Sequence, residues 1–377
     1  MKKCLGDIAT YVNGYAFKPS DRGTKGLPII RIQDLTGNSY DLGYYDGNYP
    51  GKIEINDGDI LISWSASLGI YIWNRGKALL NQHIFKVVFD KCDVNKQYFV
   101  FAVQYKLQEM MDKTHGATMK HIVKKDFDNT LIPFPSFDTQ RKIANILSKV
   151  NVIISARKRQ IEMIDELIKS RFVEMFGNET EFDKWPYCTV GDVADVCVGV
   201  VIKPTQYYAD KGIPAFRSLN IGEMYVKDSD WVYFTEEGHQ KNQKSVVHKN
   251  DVLVVRSGAP GTACVATEKY DGYNAVDIII AHPDNSKVNS TFLAAFTNMP
   301  HGVNQIRERT GGAAQQHFNV GGYKAMRLIM PSIELQNQFA AFVAQVDKSK
   351  LTIQKSLDEL ETLNKALMQK YFGGNGV

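Results

Sequence analysis

The amino-acid sequence of 377 residues contains a long internal repeat. The phrase KTHGATMKHI at 113–122 returns as RTGGAAQQHF at 309–318, and the same offset of 196 continues without a gap to the Phe-Gly pairs that end the two copies. Further upstream, LGDIATYVNGYAFKPSD from Leu5 aligns with VGDVADVCVGVVIKPTQ from Val190 at an offset of 185. The chain is therefore a tandem duplication of a unit of about 190 residues, so its fold must be built twice.

Each copy opens with short runs rich in Val, Ile and Tyr that are separated by turn residues. Such runs predict strands joined by turns. A helix is predicted after the strands of each copy, at 96–111 and at 290–299. The predicted strands are 28–33, 59–63, 70–73 and 83–89 in the first copy, and 214–219, 251–256, 263–266 and 276–281 in the second.

The end of each copy carries a helical pattern instead. Apolar residues from 139 to 176 fall three and four positions apart, interrupted by Arg157 and Arg171, and the pattern returns near the C-terminus with Lys350 and Asn364 as interruptions. This is the heptad spacing of a coiled-coil seam, in which a polar residue can fix the register. The predicted seam consists of Ile143, Leu147, Val150, Ile154, Ile161, Ile164, Ile168, Phe339, Val343, Val346, Ile353, Leu357, Leu360 and Leu367.

These patterns predict an α+β fold in which a mixed α/β globular domain and a long helix occur twice. Ser136 and Ser332 precede the helices as N-cap candidates, and Gly177 ends the first as a C-terminal glycine cap. Since the first helix leads into the second globular copy, pairing the two helices as an antiparallel coiled coil gives approximate two-fold symmetry. The predicted domains are 1–138, 139–183, 184–334 and 335–377.

The bulk composition excludes several classes of protein. No apolar run reaches the length of a membrane span and the N-terminus turns polar within six residues, so neither a transmembrane helix nor a signal peptide is predicted and a cytoplasmic location is expected. Five cysteines without a CxxC pair indicate neither a disulfide framework nor a zinc site. The net charge of +4 is too small to indicate a partner by itself.

The sequence also lacks the common catalytic signatures. It contains no GxxxxGK[ST] phosphate loop, no GxSxG nucleophile elbow and no HEXXH metal motif. The absence of any Pro-Pro dipeptide excludes the Asn/Asp-Pro-Pro-aromatic loop of amino-group methyltransferases. Neither a catalytic residue nor a metal ligand is predicted.

The order of these features resembles one family. A strand-rich unit, a TGA-like phrase, Pro-Ser, Gln and a long heptad helix ending in Phe-Gly, all repeated once, resemble the DNA specificity subunit of type I restriction-modification systems. The most specific passages are LIPFPSFDTQRKIANIL and its copy LIMPSIELQNQFAAFV, which depart from the family's usual Pro-Pro and Glu-Gln. The resemblance implies two target-recognition domains, at 1–138 and 184–334, each binding one half of a split, asymmetric DNA sequence.

The resemblance also implies partners. The paired helices would set the gap between the half-sites and dock two methyltransferase subunits, and restriction and translocase subunits would join indirectly. S-adenosylmethionine, ATP and magnesium would then belong to partner subunits, with no cofactor on this chain and no membrane contact. Double-stranded DNA would be the ligand.

Candidate DNA-binding residues are polar or aromatic side chains placed on loops or strand ends. Arg and Lys suit guanine and phosphate, and Asn and Gln suit adenine. Repeat equivalents such as Arg31 and Arg217 favour phosphate or structural roles, because residues that read unlike half-sites should differ. The candidates are Lys18, Arg31, Gln33, Ser63, Trp64, Ser65, Lys113, His115, Lys120, Lys203, Arg217, Asn220, Arg256, Ser257, Arg309, Gln315 and Gln316.

Alternatives stay open at this point. Arg31 could form an internal ion pair, Trp64 could be a packed core aromatic, and His317 could be a hydrogen-bonded structural histidine. For the whole chain, the alternatives are a self-contained restriction or modification enzyme with an unrecognised site, and a structural adaptor that clamps two proteins.

Overall fold

A computed structural model describes residues 1–37, 41–113, 122–310 and 317–373, with only the backbone described at 112 and 113. The chain forms two compact units, one made of 1–158 and 355–377 and the other of 159–354. We call them unit 1 and unit 2. Within the described ranges, no helix is both long and apolar enough to cross a membrane.

Unit 1 contains the first globular copy and parts of both long helices. Its helices are α1 (Ile32–Thr36), α2 (Lys96–Lys113), α3 (Lys124–Asp128), the first half of α4 (Phe137–Phe176) and the second half of α10 (Ile333–Phe372). Its strands are β1 (Lys2–Cys4), β2 (Thr10–Asn13), β3 (Leu27–Ile30), β4 (Tyr44–Tyr45), β5 (Glu54–Ile55), β6 (Ile60–Ser63), β7 (Gly69–Ile72), β8 (Ala78–Leu80), β9 (Ile84–Val88) and β10 (Leu131–Pro133).

Unit 2 repeats this plan. Its helices are the second half of α4, α5 (Val190–Val193), α6 (Glu236–Lys241), α7 (Ser290–Asn298), α8 (Pro300–Arg309), α9 (Val320–Lys324) and the first half of α10 (Ile333–Phe372). Its strands are β11 (Tyr187–Thr189), β12 (Ala194–Val198), β13 (Tyr208–Ala209), β14 (Ile213–Phe216), β15 (Val232–Phe234), β16 (Val252–Val255), β17 (Ala263–Val265), β18 (Asn274–Ala275), β19 (Ile278–Pro283) and β20 (Arg327–Ile329).

The two units share the strand order of one four-stranded sheet and the parallel strand pair of a second, which confirms the predicted duplication of a mixed α/β fold. One four-stranded sheet has the order β2-β9-β6-β7 in unit 1 and β12-β19-β16-β17 in unit 2. The register is repeated as well, because Lys2 pairs with Pro133 and Tyr187 pairs with Ile329. These partners differ by the offsets of 185 and 196 that align the two copies.

The predicted strands at 28–33 and 214–219 are too long. β3 and β14 end at Ile30 and Phe216, and a short helix or a single helical turn follows each. The backbone N–H of Arg31 donates to the buried Asp34 side chain at 2.7 Å, and Arg217 makes the equivalent bond to Asn220 at 2.9 Å. A side-chain acceptor three residues ahead is a helix-start signal, and here it overrides the β-propensity of the segment.

Both long helices are present and have amphipathic burial. Each predicted seam residue is buried or half-buried. In unit 2, Phe172 and Phe176 of α4 lie against Phe339 of α10, each with its ring centroid 5.6 Å from that of Phe339. In unit 1, Lys158 forms an ion pair with Glu361 at 2.7 Å. In unit 2, Lys350 of α10 also pairs with Asp165 of α4, so these two helix segments are antiparallel neighbours. A continuous coiled coil stays a prediction.

A buried glutamine fastens each long helix to its globular copy. Gln140 accepts from the backbone N–H of Asn95 at 3.0 Å and donates to the carbonyl of Pro135 at 2.9 Å. Gln336 makes the equivalent two bonds in unit 2, to the N–H of Asn289 and to the Pro331 carbonyl. The Asn95 and Asn289 side chains cap α2 and α7, so one carboxamide joins two helix starts in each unit.

Candidate nucleic-acid interface

Several loops of unit 2 meet at the connection between β18 and β19. The N–H of Val200 donates to the carbonyl of Ala275 at 2.8 Å, and Asp277 returns a bond to the Val200 carbonyl at 3.2 Å. The N–H of Val276 donates to the carbonyl of Phe216 at 2.8 Å. These bonds bring the loop after β12 and the turn after β14 to one edge of the unit, which we call the loop edge. It therefore gathers the segments that carry Lys203 and Arg217.

Unit 1 has the same loop edge at the connection between β8 and β9. Tyr15 donates to the carbonyl of Leu80 at 2.8 Å, Gln82 donates to the carbonyl of Tyr15 at 2.9 Å, and Asn81 donates to that of Ile30 at 3.0 Å. The duplication has thus preserved the backbone bonds that hold these loops together, whatever side chains the loops carry.

The last residue of each repeated phrase docks on the same edge. The N–H of Ile122 donates to the Trp64 carbonyl at 2.9 Å, and that of Phe318 donates to the Arg256 carbonyl at 3.0 Å. Both acceptors directly follow the central strand β6 or β16. The sequence phrases at 113 and 309 therefore end beside the loops that carry most of the other candidates.

The side chains at this junction differ between the units. Arg256 donates to the Phe318 carbonyl at 3.1 Å and pairs with Asp277 at 2.6 Å, and Ser257 bonds His317 Nδ1 at 2.6 Å. His317 is thus a hydrogen-bonded histidine, as one of the alternatives predicted. The junction of unit 2 is polar and charged.

Trp64 occupies the corresponding place in unit 1. Its ring stacks on Phe85, with centroids 5.5 Å apart and planes inclined by 18°, and it meets His83 edge-on at 5.0 Å. Half-buried, it packs as a core aromatic on the rim of the sheet. Ser65 beside it is also half-buried.

Arg31 and Arg217 are both engaged in holding their own loops. Arg31 lies 3.4 Å from the Asp34 carboxylate and donates to the carbonyl of Asp41 at 2.6 Å. Arg217 donates to the carbonyl of Asp230 at 2.5 Å. Since both guanidiniums close the loop that follows them, the internal ion pair considered for Arg31 is present, and DNA contact by either arginine stays a prediction.

Two of the candidate DNA contacts have buried side chains, and DNA contact by either of them stays a prediction. The Ser63 side chain is fully buried and its hydroxyl donates to the carbonyl of Ser67 at 2.5 Å. Asn220 is also fully buried, with its amide donating to the carbonyl of Ser229 at 2.7 Å and its oxygen accepting from Arg217. A side chain with its polar atoms engaged and no exposed surface would have to break these bonds to reach a base edge.

The remaining candidates divide by exposure. Lys18, Gln33, Lys203 and Arg309 are exposed in the described residues and can reach a ligand. Arg309 also donates to the Gln305 carbonyl at 2.8 Å. The candidates His115, Lys120, Gln315 and Gln316 and the side chain of Lys113 lie outside what the structure describes.

In each unit, an aspartate directly before a central strand forms an ion pair with a basic side chain on the neighbouring strand. In unit 2, Asp251 lies 2.7 Å from His282 Nδ1, and this hydrogen bond, helped by the Cys197 thiol, raises the pKa of His282 to about 10. In unit 1, Asp59 pairs with Lys86 at 2.8 Å. Because a cation meets the equivalent aspartate in both copies, the pair belongs to the scaffold. Among the described residues, no group of three His, Cys, Asp or Glu side chains could hold a metal ion.

Two kinds of residue at or near the site were not predicted from the sequence. Gln140 and Gln336 align at the offset of 196, and this repetition of a polar residue was the available signal. Val201 and Ile202 at the loop edge are exposed apolar side chains. Residue type alone gave no reason to select them.

Comparisons with known proteins agree with this architecture. The family profile described as "Type I restriction modification DNA specificity domain" matches residues 1–164 and 183–362. The specificity subunit of the type I restriction enzyme EcoBI from Escherichia coli is 25% identical over 98% of this chain and 85% of its own. The MjaVIII specificity subunit of Methanocaldococcus jannaschii is 21% identical over 86% of this chain and 80% of its own.

Solved structures share the fold. The crystal structure of a type I restriction-modification S subunit from M. genitalium aligns over 99% of this chain and 96% of its own, with a TM-score of 0.59 and 15% identity. A structure described as the basis of complex assembly and conformational transition of the type I R-M system aligns over 100% and 98%, with a TM-score of 0.56 and 16% identity.

Proposed function

Because the chain belongs to the type I restriction-modification DNA specificity family, we propose that each of its two units reads one half of a split, asymmetric DNA target. The chain is a DNA-recognition subunit and not a catalyst. The observation that carries the proposal is the loop edge, which has the same backbone bonds in both units but unlike side chains. A shared scaffold with different surfaces is what two half-sites of different sequence require.

We propose that the loop edge faces the DNA. Lys18 and Lys203 are exposed there as repeat equivalents, which suits contacts to phosphate, the same chemical group in both half-sites. Trp64 and Arg256 occupy equivalent places but differ, so this position is suited to a contact that depends on the half-site. Arginine can bond guanine directly, whereas a tryptophan shapes the surface by packing.

We propose that the long helices set the spacer. A helix of 40 residues, such as α4 or α10, is about 60 Å long, whereas one turn of B-DNA spans about 34 Å. The helices are thus long enough to separate two half-sites by more than one turn of the duplex.

The same helices carry candidate docking surfaces for two methyltransferase subunits. Leu167 in unit 2 and Leu363 in unit 1 are repeat equivalents, and they are 48% and 46% exposed. Exposed leucines at equivalent positions suit two identical partners that each bury one of them. S-adenosylmethionine, ATP and magnesium would be held by the methyltransferase and restriction subunits, and we place the complex in the cytoplasm with the DNA.

Mapping methylated adenines in the host genome by single-molecule sequencing tests the proposal. The expected result is a split motif, methylated on both strands, with unlike halves. Replacing residues 1–138 by those of a diverged relative should change one half and leave the other half and the spacer unchanged. A motif that stays the same, or changes in both halves, contradicts the assignment of one half-site to each unit.

Subunit counting tests the docking surfaces. Leu167→Asp should reduce the complex from two methyltransferase subunits to one in native mass spectrometry, and Leu363→Asp should do the same. An unpaired carboxylate placed in an apolar contact costs about 3–5 kcal/mol, enough to release the partner. Glu162→Asp, at an exposed acidic position of α4, is the control. Two bound subunits in both leucine variants would refute this docking site.

A further inference from the structure

The loop after β12 presents two aliphatic side chains to solvent. Val201 is 45% exposed and Ile202 is 79% exposed, and Lys203 follows them in a left-handed conformation with φ of 45°. We call residues 199–204 the apolar loop. Among the described residues, packing within the chain leaves most of the Ile202 side chain exposed.

The apolar loop is anchored at its base. Gly199 donates to the carbonyl of Ile278 at 2.9 Å, and a Cβ on Gly199 would lie 2.6 Å from the carbonyl oxygen of Ala275, so only glycine fits this close approach. On the far side, the carbonyl of Tyr207 accepts from the N–H of Thr235 at 2.9 Å. Ile202 therefore projects from a loop that is fastened on both sides, which lowers the entropy lost when it is buried by a partner.

The equivalent loop of unit 1 is built differently. Tyr15 is 41% exposed, but its ring meets Phe17 at 5.0 Å, and Phe17 in turn meets Tyr45 at 5.1 Å. Its aromatic side chains thus pack on one another, and Lys18 is retained as the repeat equivalent of Lys203. The projecting aliphatic pair belongs to unit 2 alone, whereas the lysine is common to both units.

We propose that Ile202 is an apolar wedge that enters the base stack of the half-site bound by unit 2, while Lys203 contacts the adjacent phosphate. This inference rests on the proposed function. Apolar side chains beside lysine or arginine are the type that proteins insert between base steps. Methyl transfer to a base also requires that base to leave the stack, and a wedge lowers the cost of that step.

The test uses the complete complex of this chain with its methyltransferase subunits, bound to a duplex that carries the mapped target. The fluorescent base 2-aminopurine is placed at successive positions in the half-site of unit 2, where unstacking raises its emission. Ile202→Ala is compared with wild type and with Ile72→Ala, an isoleucine that is 46% exposed on β7 of unit 1. Because both isoleucines are exposed, neither change should alter the thermal unfolding temperature.

The wedge predicts one position with raised emission, besides the adenine that leaves the stack for methylation, in the wild-type and Ile72→Ala complexes. Ile202→Ala should abolish that rise and weaken binding by about 10- to 50-fold, from loss of buried apolar surface. Lys203→Ala should keep the rise while lowering affinity equally for all sequences and reducing the salt dependence by about one phosphate contact.

Three outcomes overturn the wedge. Unchanged emission with Ile202→Ala, while the wild type binds specifically, rejects the wedge and leaves the proposed function intact. If exchanging thymine for uracil causes the same loss as Ile202→Ala, the side chain contacts a thymine methyl group and no wedge exists. Failure of the wild-type complex to bind its mapped target specifically rejects both inferences.

Discussion

The buried Gln336 allows a direct test of how a recognition unit is fastened to its helix. Gln336→Ala removes a carboxamide that accepts from Asn289 and donates to the Pro331 carbonyl, both at 2.9 Å. Gln336 is fully buried, so both partners lose a bond in a place where water is excluded. Each unsatisfied buried group costs about 1–3 kcal/mol, which gives a loss of about 2–6 kcal/mol for the two.

The assay is urea unfolding, read together with hydrogen exchange of the α7 amides. Asn289 caps α7 through Thr291 and Phe292, so exchange at the start of that helix should accelerate in Gln336→Ala. The matched control is Gln338→Ala, at an exposed position two residues further along α10, with an expected change within about 0.5 kcal/mol. If the two variants have the same free energy of unfolding and the same rate of α7 amide exchange, the two hydrogen bonds of Gln336 do not stabilise unit 2 and the reasoning is wrong.

Three further predictions concern unit 2. Burial lowers the pKa of His301 to about 4, whereas the pKa of an unfolded histidine is about 6.5. Between these values only the unfolded state binds the proton, so the free energy of unfolding should fall by up to about 3 kcal/mol as the pH drops from 6.5 to 4. Thermal unfolding of His301→Phe should lack this loss. Asn220→Ala should lower the unfolding temperature but leave the methylated motif unchanged, because the side chain is buried. Arg256→Ala frees Asp277 and the Phe318 carbonyl, and binding titrations should show a loss of about ten-fold or more that disappears when the half-site of unit 2 is scrambled.

Much of the fold could be predicted because each copy of the duplicated unit repeats the sequence pattern of the other. Predicted strands at 59–63 and 251–256 became β6 and β16, and the helix predicted at 290–299 became α7. The predicted ends of two strands were wrong. The segments after β3 and β14 are helical because the side chains of Asp34 and Asn220 accept a hydrogen bond from the backbone N–H of the arginine three residues earlier. One polar side chain thus outweighs a β-rich pattern, and its geometry could not be read from periodicity alone.

The candidate site was harder to predict for a physical reason. Residue type indicates which bonds a side chain can make, but the fold decides whether those bonds are already made. Ser63 donates to a carbonyl four residues ahead and Asn220 closes a turn, although serine and asparagine are good DNA contacts when exposed. The repeat partly indicated this role for Asn220, because Asn220 aligns with Asp34. A short polar acceptor at equivalent positions of both copies indicates a shared structural role.

The same logic explains how one duplicated scaffold can serve two unlike half-sites. The bonds that form the loop edge run mainly between backbone groups, such as Tyr15 to Leu80 and Val200 to Ala275, so they place few demands on side chains. Side chains there can diverge at little cost in stability, and Trp64 and Arg256 have done so. Residues that are the same in both copies, such as Gln140 and Gln336, are therefore expected to support the scaffold. Residues that read the DNA sequence are expected at positions where the two copies differ.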